Sequence, residues 1–174
     1  MNWEEAKQLK TPFYLLDTKK LIANGKVLKQ IQDDTGCKIL LAQKAFSAYD
    51  LYPVLAPFLA GTEASGLYEA RLGAEKMPGK ECHVFCGAYR DDEFADVLKY
   101  ANHIVVNSPN QLKHFGPQAK AAGKEVGLRI NPECSTQTHA IYDPCAPGSR
   151  LGTTREQWDK LMTPELIGML DGVH

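Results

Sequence analysis

The stretch Lys38-Ile39-Leu40-Leu41-Ala42-Gln43-Lys44-Ala45-Phe46-Ser47 decides how the rest of the chain is read. Its apolar part, Ile39 to Ala42, is too short for a helix and has the length and composition of a strand buried on both faces. Lys44 closes that strand, and Ser47-Ala48-Tyr49-Asp50 breaks it. In an α/β barrel the chemistry gathers at the carboxyl ends of the strands. An ammonium on a four-carbon stem, held partly desolvated in such a place, loses basicity, as a Schiff-base lysine must. A lysine that merely marks the solvent end of a strand has the same local sequence, so the surrounding chain has to separate the two.

Towards the amino terminus, Trp3 to Leu9 predicts a short amphipathic helix stopped before Pro12, and Phe13-Tyr14-Leu15-Leu16 predicts a strand. Asp17 or Thr18 caps a helix from Lys19 to about Asp33, with Leu21, Ile22, Val27, Leu28 and Ile31 at near-helical spacing and Gly36 as its stop. Beyond the lysine strand a two-part unit recurs. A helix over 48–58, bent at Pro53, is followed by a weak strand over 59–63 and a helix over 67–75. Strands over 83–86 and 104–106 each lead into a helix, over 91–99 and 110–122. Ser108 as N-cap with Pro109 at the first helical position is a strong start signal, and Gly123 a stop. A strand over 126–130, a long polar stretch from Asn131 to Thr154, a helix over 156–162 and a strand over 167–174 complete the chain.

Such alternation of buried-looking strands with helices predicts a parallel sheet, either open or closed as a barrel. Six strands of this kind fall short of the eight in a closed barrel. No low-complexity linker divides the chain, so one domain is expected. A net charge of -1 gives no electrostatic footprint for nucleic acid or an anionic membrane. No window approaches the ~20 apolar residues of a membrane span, and the first residues are unlike a signal peptide. The five cysteines are odd in number and scattered, which suggests reduced thiols in a cytoplasmic protein. Cys82, His83 and Cys86 lack a second cluster at zinc-site spacing, so no metal site is expected.

The polar residues at strand ends are the candidates for chemistry. They are Lys44, then Glu63, Ser65 and Glu69, then Gly87-Ala88-Tyr89-Arg90, Asn107-Ser108, Arg129 with Asn131, and His174. Arg129 lies inside the otherwise apolar Val126-Gly127-Leu128-Arg129-Ile130, and a guanidinium there needs a partner. That partner is either a structural carboxylate, Glu63 or Glu69, or an anionic ligand at the mouth of the strands. Glu69, in a first helical turn, is favoured there by the helix dipole alone. The stretch Asn131 to Thr154 is long for a plain connection and predicts a functional loop over the active-site face. No Walker loop, Gly-x-Gly-x-x-Gly or Gly-x-Ser-x-Gly occurs, which argues against a P-loop nucleotide enzyme and an α/β-hydrolase.

Leu41-Ala42-Gln43-Lys44-Ala45-Phe46 resembles the lysine strand, of Tyr-Ala-Val-Lys-Ala-Asn type, of the fold-type III pyridoxal-phosphate enzymes. These are the alanine racemase and ornithine/diaminopimelate decarboxylase group. Ser65 to Gly73, Leu128 to Glu133 and above all Ile141-Tyr142-Asp143-Pro144-Cys145-Ala146-Pro147-Gly148-Ser149-Arg150-Leu151-Gly152 resemble the carboxynorspermidine (carboxyspermidine) decarboxylase branch. The similarity runs from Thr11-Pro12 to the last residue. It implies an incomplete (β/α)8 barrel with about six of the eight strands. It further implies pyridoxal 5'-phosphate as cofactor, a carboxylated polyamine as substrate, and a cytoplasmic homodimer. The implied reaction is decarboxylation of carboxynorspermidine or carboxyspermidine to norspermidine or spermidine in polyamine biosynthesis.

Position by position, the resemblance makes Lys44 the catalytic lysine that carries the cofactor. Ala42 would face the cofactor on the same strand, and Arg129 would do so at its own strand end. Glu63 and Glu69 match acidic positions of the second-strand motif, although the family more often has Asp at the first. Gly172-Val173-His174 matches the first three positions of the family's Gly-Leu-His-Phe-His, so the ring-stacking histidine is expected two positions after His174. The phosphate-binding glycines, the Glu that pairs the pyridine nitrogen and a C-terminal β-domain are expected there too. Residues 1–174 are thus expected to be the N-terminal part of the barrel and inactive alone. Two alternatives stay open: a fold-type III decarboxylase for diaminopimelate, ornithine or arginine, and a non-catalytic pyridoxal-phosphate-binding barrel protein.

Overall fold

Each strand of the sheet lies beside its neighbour in sequence and runs parallel to it. The computed structural model describes residues 3–174. Its six strands are β1 (Leu40–Ala42), β2 (Gly61–Ala64), β3 (Glu81–Phe85), β4 (His103–Val106), β5 (Glu125–Leu128) and β6 (Gly172–Val173). The helices are α1 (Trp3–Ala6), α2 (Thr18–Thr35), α3 (Tyr52–Leu55), α4 (Leu67–Lys76), α5 (Asp91–Tyr100), α6 (Pro109–Ala121), α7 (Arg155–Leu161) and α8 (Pro164–Gly168). Sequential parallel strands joined by helical crossovers make an incomplete (β/α)8 barrel, the fold class that the sequence implies.

Several helix ends form where the sequence places them. Asp17 accepts hydrogen bonds from the amides of Lys19 and Lys20 at 3.0 and 3.2 Å, and Gly36 ends α2 at φ 72° in the left-handed region. Ser108 caps α6, with Pro109 next. Thr154 and Gln157 cap α7 reciprocally, side chain to backbone in both directions.

Side chains of a strand alternate between faces, and here one face is covered by helices. Ala64, Val84, Ile104, Val106, Val126 and Leu128 are fully buried against Phe94, Leu112 and Phe115. A second cluster joins Tyr52, Leu55, Leu59 and Met77 to Leu21, Leu28 and Leu41. The opposite face carries Glu63, Glu81, His83, His103 and Glu125, all at least partly accessible. The strands are therefore not buried on both faces, because among the described residues nothing covers the inner one.

Several expected elements differ. Phe13–Leu16 is not a strand: no strand pairs with it, and Tyr14 is wholly exposed. Its apolar residues belong to an extended segment on the surface. The single helix over 48–58 breaks into a 3-10 turn (Tyr49–Leu51), α3 and a second 3-10 turn (Ala56–Phe58). Pro53 and Pro57 lack the amide protons that a continuous helix would need. Helix α1 stops at Ala6 rather than Leu9. Residues 167–174 are not one strand, since Thr163 caps α8 and only Gly172–Val173 pairs with β5.

Candidate active site

The turn after β1 is built around Gln43, which is 1% exposed. Its side-chain amide donates to the carbonyl of Glu69 at 2.8 Å, and its backbone amide donates to the carbonyl of Glu63 at 3.2 Å. The hydroxyl of buried Tyr52 donates to the carbonyl of Phe46 at 3.1 Å and lies 3.4 Å from Gln43 Oε1. The amides of Ala45 and Phe46 both turn back onto the carbonyl of Ala42. These bonds fix the backbone on either side of Lys44 and send its side chain to the carboxyl edge of the sheet. Register pairs Ala42 with Glu63, so the two share the inner face. Lys44, in the turn that follows, reaches the same face where it approaches Glu63.

Lys44 Nζ lies 3.9 Å from Glu63 Oε2, with the lysine side chain 62% exposed and the glutamate 24%. The partly desolvated lysine expected from the strand is not what the structure has: its side chain is mostly open, and Glu63 is the carboxylate in reach of its ammonium among the described residues. Glu63 is the more enclosed partner. Burial, with a smaller push from Glu69, holds its carboxyl above the ordinary range against the opposing pull of Lys44 and Arg129.

Arg129 does not close an ion pair with Glu63 or Glu69. Its guanidinium lies 4.6 Å from the centroid of the Phe85 ring, a cation–π contact at the end of β3. Its amide donates to the carbonyl of Val106, which extends the β4–β5 ladder and aims the side chain across the same face. His174 follows at the end of β6, its ring 5.2 Å from that of Phe85. Although open to solvent on one side, its imidazole is held below the usual range by partial burial and then by Arg129 and Lys44.

Glu69 stands apart from this group. Its carboxylate accepts from the amide of Ser65 at 2.6 Å, closing the loop before α4, as a first-turn glutamate does. So Lys44, Glu63, Arg129 and His174 converge with Ala42 on one face, and Glu69 supports the loop. Ser65 Oγ is buried without a hydrogen-bond partner among the described residues.

The loop ahead of α7 is tied to the same edge by Asn107, which is 8% exposed. Its Nδ2 donates to the carbonyl of Arg150 at 2.8 Å, and its Oδ1 accepts from the amide of Gly152 at 2.7 Å. Gly152 has a φ of 82°, and a Cβ there would sit 2.7 Å from the amide nitrogen of Asn131, so only glycine fits. Tyr89 fastens the ends of β3 and β4, its buried hydroxyl sharing one proton between the carbonyls of Val84 and Val105 at 2.9 and 3.0 Å. Burial pushes that phenol far up, so it stays protonated. Gln43, Tyr52 and Phe85 carried no sequence signal of a role, being a polar residue inside a strand motif and two ordinary apolar positions.

No protein-family model matches the chain. It is 35% identical over 165 residues to a carboxynorspermidine/carboxyspermidine decarboxylase from Herminiimonas arsenicoxydans, a match covering 95% of this chain and 43% of that relative. It is 38% identical over 144 residues to a carboxyaminopropylagmatine decarboxylase from a Synechocystis strain, covering 83% of this chain and 37% of the relative. Its fold superposes with a TM-score of 0.82 on carboxynorspermidine decarboxylase from Campylobacter jejuni, solved in complex with norspermidine, at 30% identity over 95% of this chain and 41% of that one. The chain thus spans less than half the length of these proteins. With the lysine-bearing first strand, the sequential parallel sheet and this similarity in hand, the chain is similar, over almost its whole length, to part of the carboxynorspermidine/carboxyspermidine decarboxylases.

Proposed function

We propose that this chain carries the lysine half of a pyridoxal-phosphate-dependent decarboxylase acting on carboxynorspermidine or carboxyspermidine. The observation that supports it most is Lys44 at the carboxyl end of β1, 3.9 Å from the Glu63 carboxylate on a face shared with Arg129. The residues suit the cofactor chemically. Lys44 offers the amine for its aldehyde, and Arg129 and the unpartnered Ser65 Oγ offer donors to its anionic and polar groups. Ala42, with its small side chain, leaves room on the same face. When bound, pyridoxal phosphate supplies the electron sink that lets a substrate α-carboxylate depart as carbon dioxide.

The chain's own residues prepare that site. Lys44 must shed a proton before its amine can act, and Glu63, whose carboxyl burial holds above its ordinary range, is the group beside it through which a proton can pass. Arg129, held over Phe85, keeps positive charge at the mouth, where it favours an anionic group. Glu69, through the Ser65 amide, keeps the β2–α4 loop closed. The homodimer and the cytoplasmic setting belong to the same proposal and rest on the resemblance; no helix among the described residues is long and apolar enough to cross a membrane.

A second substrate is favoured by one observation, the 38% identity to a carboxyaminopropylagmatine decarboxylase. Two measurements test the reading. Borohydride reduction of the chain mixed with pyridoxal phosphate, followed by peptide mapping, should label Lys44 above every other lysine and lose that label in Lys44→Ala. Labelling spread evenly over exposed lysines would count against it. Carbon dioxide release by a protein containing this sequence at full family length, from carboxynorspermidine, carboxyspermidine and carboxyaminopropylagmatine, separates the substrates, and turnover of none of them would refute the activity.

A further inference from the structure

The inner face of β3 and β4 carries a second cluster that the candidate active site does not use. Register places His83 directly beside His103, and their rings stack with centroids 3.8 Å apart and planes 22° from parallel. Both imidazoles turn Nε2 towards one oxygen, Glu81 Oε2, at 3.0 Å from His83 and 3.8 Å from His103. The other nitrogen of His103, Nδ1, lies 2.8 Å from Glu125 Oε2. A carboxylate only accepts, so when Glu125 takes a hydrogen bond from Nδ1 the neutral ring can offer the lone pair of its Nε2 to a cation. Nε2 of both rings and Glu81 Oε2 thus turn towards one another, an arrangement that a cation among them would satisfy.

We propose that Glu81, His83 and His103 form a binding site for a divalent transition-metal ion of the zinc class. Two imidazole nitrogens and one carboxylate oxygen, all within 4.8 Å of one another, are the donor set that such ions prefer. Glu125 plays the part that a carboxylate takes behind a ligating histidine, fixing the tautomer and strengthening the donor. Lys38 pairs with the remaining oxygen of Glu81 and leaves Oε2 for the ion. The three side chains are 23–29% exposed, enclosed enough to hold an ion and open enough to admit it. A cavity of about 230 Å³ against both histidines has room for a water as fourth ligand. On binding, the His83 proton moves from Nε2 to Nδ1, and the two rings tilt from their stack to point both lone pairs at the ion.

The probe is Co2+, added to the chain after chelator treatment and dialysis. The expected result is one ion per chain with micromolar or tighter affinity and the intense visible bands of a four-coordinate site. His83→Gln and His103→Gln should each weaken binding by at least tenfold, and Glu125→Gln by about 10–100-fold. His114→Gln and His139→Gln, at exposed histidines elsewhere, should leave it unchanged. Should a ligand variant unfold, imidazole 15N spectra of the unsubstituted chain with Zn2+ decide the matter. Two of the five histidines must shift, and they must be His83 and His103. Absence of binding below millimolar Co2+, or binding carried by other histidines, would overturn the proposal.

Discussion

Gln43 holds the turn that carries Lys44. A buried amide joined to two backbone segments costs free energy when its partners are stranded, because no water replaces the lost bonds. Gln43→Ala is therefore expected to destabilise the chain by about 1–3 kcal/mol. Tyr52→Phe, which removes one hydroxyl bond to Phe46, should cost less, about 0.5–1.5 kcal/mol. Urea denaturation midpoints for both variants check the order, and an equal or reversed effect would show that the turn is held otherwise. The sequence marked Lys44 and gave no hint of Gln43. A glutamine before a lysine looks like solvent-facing polarity until the turn after β1 packs it against α4 on the helix-covered side.

At the scale of elements, the pairing of β2 with β3 sets the distance between the first carboxylate and the ring beneath Arg129. At Gly61 the two strands leave no room for a side chain, since a Cβ there would lie 1.9 Å from the carbonyl oxygen of Glu81. The obstacle is backbone, not a side chain that can swing aside. Gly61→Ala should thus push the strands apart and destabilise the chain by about 2–3 kcal/mol, at the upper end of what overpacking costs. Thermal or urea unfolding measures it, and a neutral outcome would contradict the tight β2–β3 approach. Helix ends at this scale were legible from local chemistry. Ser108-Pro109 and Thr163-Pro164 carry the same start signal, and the structure puts a helix after both, so α8 was readable. Phe13–Leu16 was not, because an apolar run specifies a strand only where a neighbour accepts its hydrogen bonds.

For the molecule as a whole, the sheet is closed on its helix side and fastened at its last strand by one carboxylate. Asp171 bridges Lys120 of α6, at 2.7 and 2.9 Å, and the amide of Val126 at the start of β5, at 2.6 Å. Lys120 and that amide hold its carboxyl below the usual range. A carboxylate with a depressed folded pKa binds fewer protons folded than unfolded. It adds stability above its unfolded pKa, near 3.9 for an ordinary Asp, that is lost as pH falls through the lower folded value. The side chain is 37% exposed, so screening limits its worth to about 0.5–1 kcal/mol. Asp171→Asn should lose that amount at neutral pH and converge with the parent chain in strong acid. Parallel curves over the whole acid range would disprove the assignment.

The sequence alone determined the alternation of strands and helices from β1 to β5, the starts and stops of α2 and α6, and Lys44 at a strand end. Each of these follows from local backbone preference or from the period of apolar residues. Its motifs also pointed to the family before any coordinates. Only the tertiary structure decided which strand ends meet. Parallel register, with one residue of each strand facing inward, gathers Lys44, Glu63 and Arg129 from segments far apart in sequence and stacks His83 on His103. It also sends Glu69 to a loop amide and leaves Arg129 over Phe85 instead of paired with a carboxylate. The reason is physical: whether a side chain points inward is a local property of a strand, but its neighbour is set by the register between strands, which no single stretch encodes.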